Sequence, residues 1–515
     1  MERIIVLDFG SQTTQLIARR IRELGVFCEI FPGDSIINNK ILDKTKGIIL
    51  SGSPFSVNEK GAPKADRAIY LTGIPVLGIC YGFQQMTVAH NGRVDASLTK
   101  EYGQATVSIL TQSELFNGVP DGFNSWMSHG DSLEVLGEGF ELIAKSENHP
   151  AAGVNNKLNL YGLQFHPEVS HCEFGKEILG NFIFRICGIK KNWNMELFRE
   201  HISEEIKIRV KNSKVLLLIS GGVDSSVVAG LLLKSIPPEN VFLMYIDTGL
   251  MRKNETLEIE IYLKSLGAKN ISIIDSSQLF LNSLKGVSDP EKKREIIGDL
   301  FIQIQEKELP VDMNDAYFLA QGTLYTDLIE SGKGVGKNAK VIKSHHNVRS
   351  PMVEKKRNEG LIIEPLDKLF KDEVRALGIK LGIDNRIIAR HPFPGPGLAV
   401  RIIGEITENK IRILQDADAL FIDELKKRNL YNKIWQAFCV LLPVKSVGVT
   451  GDAREYGYVL ALRAIQSIDG MTADVYPFQT SDLLEISSKL TNSIPEIGRI
   501  VYDISSKPPA TIEWE

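Results

Sequence analysis

Ser220-Gly221-Gly222-Val223-Asp224-Ser225-Ser226 follows directly on the apolar run Val215-Leu216-Leu217-Leu218-Ile219. The run reads as a buried strand, and the glycines, acid and hydroxyls that end it suit a phosphate group. Glycine lets the backbone turn sharply and bring its N–H groups close to an anion. Val227-Val228-Ala229-Gly230-Leu231-Leu232-Leu233 can start a helix, whose N-terminus adds partial positive charge. The loop lacks the lysine of a Walker-type G-x-x-x-x-G-K-[ST] sequence, which argues against γ-phosphate transfer. A glycine-serine turn after a strand is common; the spacing and Asp224 set this one apart.

Outward from this loop the chain runs to 515 residues, more than one core usually serves, so several domains are expected. Lys and Arg number 60 against 64 Asp and Glu, a net charge of -4 that argues against a general nucleic-acid or membrane-surface role. The five cysteines (Cys28, Cys80, Cys172, Cys187, Cys439) form no C-x-x-C pair. An odd, scattered set points to reduced thiols and a cytoplasmic location. The N-terminus Met1–Gly10 reads as a strand and not as a signal peptide. No apolar run approaches the ~20 residues of a membrane span.

Before the loop, Ile4–Leu7, Thr14–Glu23, Gly47–Leu50 and Pro75–Ile79 alternate strand and amphipathic helix, which predicts a mainly parallel sheet with helices on both faces. Trp193–Lys211 reads as a helical connector, with Leu197, Ile202, Ile206 and Val210 at helical spacing. A second series opens at Val215 and continues through Val241–Ile246, Glu255–Leu266 and Ile271–Ile274. His391-Pro392-Phe393-Pro394-Gly395-Pro396-Gly397 is a rigid boundary loop. Val444–Val449, Tyr458–Ile465 and Ile500–Ile504 then predict a smaller α+β domain, and Lys333–Lys337 a mobile loop. The expected fold class is α/β, with two doubly wound, mainly parallel-sheet domains followed by that smaller α+β domain. The expected boundaries are 1–192, 193–390 and 391–515.

Cys80 stands where a strand meets a helix, in Pro75-Val76-Leu77-Gly78-Ile79-Cys80-Tyr81-Gly82-Phe83-Gln84-Gln85. That is the arrangement of a nucleophile elbow, in which a strained turn exposes the side chain and the following N–H groups face the site. A helix N-terminus also favours the thiolate. A lone cysteine is more often a buried structural one; the glycine flanks favour the nucleophile. Gly162-Leu163-Gln164-Phe165-His166-Pro167-Glu168 offers a base. Residues two apart on an extended segment point to one side, so Glu168 can orient His166. The reaction class is acyl transfer through a thioester, amide hydrolysis being its simplest case.

These two segments resemble a class I glutamine amidotransferase domain over roughly residues 1–190. The resemblance implies a Cys80, His166 and Glu168 triad that attacks the glutamine side-chain amide and releases ammonia. It implies an oxyanion hole from Gly52 and the N–H of Tyr81. It implies that Gln84 and the Trp126-Met127-Ser128-His129-Gly130-Asp131 segment, with Ser128 and His129, hold the glutamine. This chain has Ser51-Gly52-Ser53-Pro54 where the family usually has Ser-Gly-Gly-Pro.

The Ser220–Ser226 loop resembles the PP-loop of ATP pyrophosphatases, Ser-Gly-Gly-x-Asp-Ser. Such enzymes adenylate a carbonyl oxygen and let a nucleophile displace AMP. The implied ATP-binding residues are Ser220, Gly221, Gly222, Val223, Asp224, Ser225 and Ser226. Phosphate charge calls for Mg²⁺, with Asp224 as a candidate ligand. Tyr245-Ile246-Asp247-Thr248-Gly249-Leu250 fits an adenosine-side loop. Gln321-Gly322-Thr323-Leu324-Tyr325, Lys343-Ser344-His345-His346-Asn347 and Phe370-Lys371-Asp372-Glu373-Val374-Arg375 are rich in phosphate or carbonyl ligands. By itself the last reads as a solvated helix turn.

Together with Arg390–Leu398 and Lys507–Glu515, these segments in this order resemble the glutamine-hydrolysing GMP synthetase family across essentially the whole chain. The resemblance implies glutamine, ATP and xanthosine monophosphate (XMP) as substrates, with a C-terminal homodimerisation domain that completes the nucleotide pocket. It implies XMP contacts from Gln436, Arg499, Lys507 and Glu513. The two cations suit phosphate and the carboxylate suits purine N–H donors. It implies a lid from Asp289, within Ser288–Arg294, together with Lys371, Asp372 and Glu373. The apolar, proline-bearing chain end suggests a docked terminus. Two departures are Tyr325-Thr326-Asp327 for Tyr-Pro-Asp, and Arg349-Ser350-Pro351-Met352 for Gly-Gly-Leu-Pro.

Alternatives are another PP-loop adenylating enzyme, such as a tRNA sulfur transferase, or a non-catalytic nucleotide-sensing homologue. The first calls for a second catalytic cysteine and a basic surface, which the charge balance and isolated Cys439 oppose. Ser53 and Arg349 are what favour the second.

Overall fold

The computed structural model describes residues 1–147, 149–309, 317–330, 351–450, 453–467 and 472–515. Lys333–Lys337, Lys343–Asn347 and Arg349-Ser350 lie outside the described residues. The chain divides into two compact units. The first holds Met1–Phe198 with the segment that opens at Leu324, and the second holds Arg199–Thr323 with the later described chain.

In the first unit, β1 (Arg3–Asp8), β2 (Cys28–Pro32), β3 (Thr45–Leu50), β4 (Val76–Ile79), β5 (Arg93–Ile109), β6 (Phe123–Val135), β7 (Glu141–Lys145), β8 (Pro150–Asn155) and β9 (Leu160–Leu163) form one sheet. Its order is β2-β1-β3-β4-β9-β8-β7-β5-β6. The pairs from β2 to β9 are parallel, and those from β9 to β6 are antiparallel. The βα alternation therefore describes the parallel half. From β5 to β9 the described residues hold no α-helix between the strands, a feature that the alternation did not disclose. Ile4, Ile5, Val6 and Leu7 have no exposed surface, as a strand covered on both faces requires. The helix Thr14–Glu23 covers part of this sheet with Ile17, Ala18 and Ile21.

In the second unit, β10 (Val215–Ile219), β11 (Val241–Asp247), β12 (Asn270–Asp275), β13 (Phe318–Ala320) and β14 (Ile362–Ile363) pair in the order β12-β11-β10-β13-β14, all parallel. The chain leaves β10 toward β11 on one side and later returns to β13 on the other. The carboxyl end of β10 is thus the topological switch point, where open α/β sheets bind ligands. The helix after β10 spans Val223–Ser235 and so begins inside the glycine-acid-hydroxyl loop, not at Val227. Asp224, Ser225 and Ser226 consequently occupy its first turn.

β15 (Gln436–Thr450) and β16 (Ala453–Gln466) pair antiparallel, joined by β17 (Asp474–Val475) and, in parallel with β16, β18 (Ile497–Tyr502). The helix Glu408–Lys427, capped by the Thr407 hydroxyl, packs Ile413, Leu414, Ala417 and Phe421 in the core under this sheet. That same core takes in Ile297 and Ile304 of the helix Pro290–Lys307 and Ile246 of β11. The C-terminal sheet and the second parallel sheet therefore share one interior. His391–Pro394 carries no regular structure, as its prolines require. It is pinned by the His391 ring stacked on Tyr431, with centroids 3.9 Å apart.

The chain end is docked. The buried Lys293 ammonium lies 2.8 Å from the Ile402 carbonyl and 2.5 Å from the Glu515 carboxylate. No helix among the described residues is long and apolar enough to cross a membrane.

Candidate active site

β4 and β9 are adjacent and parallel, with Ile79 opposite Leu163, so the residues following each strand emerge side by side. Cys80 follows β4 at φ +51°, a conformation that costs a non-glycine residue on the order of 1–3 kcal/mol and turns its side chain out of the sheet. The neighbouring glycines serve close approach. A Cβ on Gly82 would lie 2.4 Å from the Leu50 carbonyl oxygen, and one on Gly78 would lie 2.6 Å from the Gly82 carbonyl carbon. The helix Tyr81–Ala89 begins at once, and its first N–H groups have no partner within the helix.

His166 and Glu168 sit in a turn just past β9 and not on an extended strand. The turn still brings His166 Nδ1 to 2.7 Å from Glu168 Oε1. Behind it, Gly175 is packed so tightly that a Cβ would strike the Pro167 carbonyl. Glu168 has no exposed surface, and Arg20 Nε donates to its backbone carbonyl at 2.9 Å. Burial opposes a charged imidazole at His166, but the Glu168 carboxylate and the bond to Cys80 outweigh it and hold its pKa well above 6.5. A buried thiol, imidazole and carboxylate in series can pass a proton from sulfur to the ring and keep the resulting cation paired.

Around the sulfur, Gly52 lies beside the His166 ring, where a Cβ would be 3.3 Å from Cε1. Ser53 has no left-handed φ, so its Cβ strains nothing, and its hydroxyl donates to the Phe9 carbonyl at 2.8 Å. The Ser128 carbonyl is 3.7 Å from Cys80 Sγ. Gln84 Nε2 donates to the Asp131 carbonyl at 3.2 Å. His129 is buried with its Nδ1 on that same carbonyl at 3.0 Å and its Nε2 3.3 Å from Glu101. Desolvation dominates there and lowers the His129 pKa despite the nearby carboxylate.

The second constellation surrounds the β10 loop. Gly221 takes φ +78°, which only glycine adopts without strain. Ser220 Oγ accepts from the Gly222 N–H at 3.3 Å and meets Ser225 Oγ at 3.1 Å. The Lys371 ammonium lies 2.6 Å from both carboxylate oxygens of Asp224. Of the other candidate lid residues, Glu373 caps its own helix by accepting the Phe370 N–H at 3.0 Å, and Asp372 is exposed. Asp289 caps the helix Pro290–Lys307. Gly322 packs on the loop, where a Cβ in place of its hydrogen would lie 3.3 Å from that of Asp224. Arg390 Nη1 reaches the Gly221 carbonyl at 3.4 Å and the buried Glu255 at 3.5 Å.

In the C-terminal sheet Gln436 Nε2 donates to Glu513 at 2.8 Å. The buried Arg401 clamps the same carboxylate through Nε at 3.1 Å and Nη2 at 2.9 Å. Arg499 is exposed on β18, and Lys507 pairs through its backbone with Ala473. Sequence reasoning missed Arg401, although a lone arginine within Leu398-Ala399-Val400-Arg401-Ile402-Ile403 was a signal. It also missed Gln164, whose amide faces Cys80.

The glutamine amidotransferase class-I family model matches residues 5–186, and that of the GMP synthase C terminal domain matches residues 423–514. A protein of Caldicellulosiruptor saccharolyticus named GMP synthase [glutamine-hydrolyzing] is 49% identical over 515 residues, covering 100% of this chain and 99% of its own. The chain belongs to the glutamine-hydrolysing GMP synthase family. A second relative of that name, from Thermosipho melanesiensis, is 50% identical with 100% of both chains covered. A third, from Aquifex aeolicus, is 49% identical over 99% of each. Membership makes the chain an enzyme, a glutamine-dependent ligase that forms GMP. The family resemblance drawn from Cys80, His166 and the β10 loop is thereby borne out, as is the α/β fold class.

Proposed function

We propose that the two constellations divide the GMP synthase reaction. In the first unit Cys80 attacks the glutamine side-chain amide, passing its proton to His166 while Glu168 keeps the imidazolium paired. The carbonyl oxygen takes up charge against the N–H groups of Gly52 and Tyr81, ammonia leaves, and water hydrolyses the thioester to glutamate. Ser128, His129 and Gln84 shape the glutamine pocket. The observation that supports this reading is the buried chain from Glu168 through His166 to a Cys80 in left-handed backbone, at the paired carboxyl ends of β4 and β9.

In the second unit the Ser220–Ser226 loop grips the pyrophosphate end of ATP at the head of a helix. The 2-oxygen of XMP attacks the α-phosphate, pyrophosphate departs, and ammonia displaces AMP from adenyl-XMP to give GMP. Asp224 fits Mg²⁺ chemically as a carboxylate at the mouth of an anion-binding loop, and Mg²⁺ when bound neutralises phosphate charge. Lys371 serves the phosphates directly; Asp289, Asp372 and Glu373 support lid segments. Gln436, Arg499, Lys507 and Glu513 form the XMP site in a domain of residues 391–515 that also dimerises. Residues 1–192 and 193–390 form the other domains of a cytoplasmic enzyme of purine nucleotide synthesis.

The experiment is product identification by mass after incubation with XMP, ATP, Mg²⁺ and glutamine. GMP, AMP, pyrophosphate and glutamate are expected in equal amounts. Pyrophosphate release with a different acceptor, and none with XMP, overturns the assignment.

A further inference from the structure

We propose that Gln164 is a further catalytic residue of glutamine hydrolysis, its side-chain amide donating a hydrogen bond to the Cys80 sulfur and stabilising the thiolate. The proposal rests on Cys80 as the attacking group. Gln164 is 1% exposed, one residue past β9, with its backbone N–H fixed to the Ala151 carbonyl at 2.8 Å. Its Nε2 lies 3.6 Å from Cys80 Sγ, within reach of the larger sulfur atom.

The orientation of the amide follows from its neighbours. Gln84 Nε2 donates to the Asp131 carbonyl at 3.2 Å, which settles which end of Gln84 is nitrogen. That nitrogen also lies 3.5 Å from the Gln164 side-chain oxygen. A flipped Gln164 would set two N–H₂ groups against each other, so its own nitrogen points at the sulfur. The Asp131 carbonyl is held in turn by His129 Nδ1 at 3.0 Å. Hydrogen bonds thus run without interruption from His129 through Asp131, Gln84 and Gln164 to the nucleophile.

The donor has a specific use when the proton moves. As a thiol, Cys80 can donate to the Ser128 carbonyl at 3.7 Å. When that proton passes to His166, whose ring is already hydrogen-bonded to the sulfur, the Ser128 carbonyl faces a sulfur that can no longer donate. Gln164 supplies an N–H to the new negative charge, and bonds to charged acceptors are the stronger kind. The amide gives up no proton and stays neutral throughout.

The test uses the full chain carrying Gln164→Leu or Gln164→Glu, with thermal unfolding as the check on folding. Alkylation of Cys80 by iodoacetamide is followed by the mass of its peptide, so the other cysteines do not interfere. Both variants are expected to alkylate about tenfold more slowly at neutral pH and to recover the lost rate about one pH unit higher. Glutaminase kcat should fall by a similar factor with little change in KM. Gln164→Glu keeps the side-chain shape and still accepts from Gln84, so it reports even where Gln164→Leu does not fold. A wild-type alkylation profile in the folded variants overturns the inference. Glutaminase activity surviving in Cys80→Ala would instead sink the nucleophile assignment on which it rests.

Discussion

The Lys371 ammonium lies 2.6 Å from each carboxylate oxygen of Asp224, joining the first turn of the helix after β10 to the first turn of the helix Lys371–Lys380. Both residues are partly exposed, so the pair contributes little to stability and is better understood as charge held ready at the loop. Lys371→Met is expected to slow pyrophosphate release on the order of a hundredfold with small effect on thermal unfolding. Asp224→Asn should lose Mg²⁺-dependent release as well. Release at the wild-type rate in either variant would remove the pair from the adenylation site.

Cys80→Ala should lower glutamine-dependent synthesis by about three orders of magnitude or more while ammonia-dependent synthesis persists. GMP formation with each nitrogen donor measures this. Loss of both activities would contradict the division of labour between the units.

The steric demand at the Cys80 turn is testable through Gly82→Ala. The added Cβ meets the Leu50 carbonyl oxygen at 2.4 Å and the Leu50 Cβ at 2.6 Å, so the helix start must move away from β3. The expected cost is about 1–3 kcal/mol, with a lower Tm and a glutaminase loss larger than the loss of ammonia-dependent synthesis.

Arg401 is 1% exposed and depends on Glu513 for its pairing. Removing one partner of a buried pair leaves a bare charge. Glu513→Ala should therefore destabilise the second unit by about 3–5 kcal/mol in urea unfolding. If Glu513 also binds XMP, KM for XMP rises in Glu513→Gln, which keeps the shape. An unchanged KM would confine Glu513 to a structural role.

His391 provides a pH signature. Burial, reinforced by Arg252, pushes its pKa down to about 4, while the Ala437 N–H donates to Nδ1 at 3.1 Å and Nε2 meets the Tyr431 carbonyl at 2.9 Å. Both ring nitrogens are committed in the neutral form. Its folded pKa is depressed below the unfolded 6.5, so the unfolded chain binds the extra proton first as pH falls. The stability it contributes is complete above pH 6.5 and is lost between 6.5 and about 4, at about 1.4 kcal/mol per pH unit. His391→Asn should flatten that part of the stability profile. An unaltered slope would mean that other groups govern acid unfolding.

The strand–glycine–acid stretch at Val215–Ser226 and the strand–thiol–helix stretch at Pro75–Gln85 were legible because each motif is carried by consecutive residues. The same holds for His166 and Glu168, two residues apart, although a turn and not a strand brings them together. The helix start at Val223 was harder to place, since the apolar signal begins at Val227 while the hydroxyls and acid suit a first turn equally well. The antiparallel strands from β5 to β8 escaped because their pattern differs from the βα alternation around them.

Local sterics and hydrophobic period thus specified the strands that lead into the site, the Cys80 turn and the phosphate-type loop, and the resemblance of the motifs on them gave the family. Folding decided which distant groups meet those ends: Lys371 with Asp224, Arg401 with Glu513, Gln164 with Cys80. The reason is physical. A turn or a helix start depends on neighbours along the chain, whereas a buried donor or counter-charge is selected by strand order and register, which bring together residues that the sequence holds far apart.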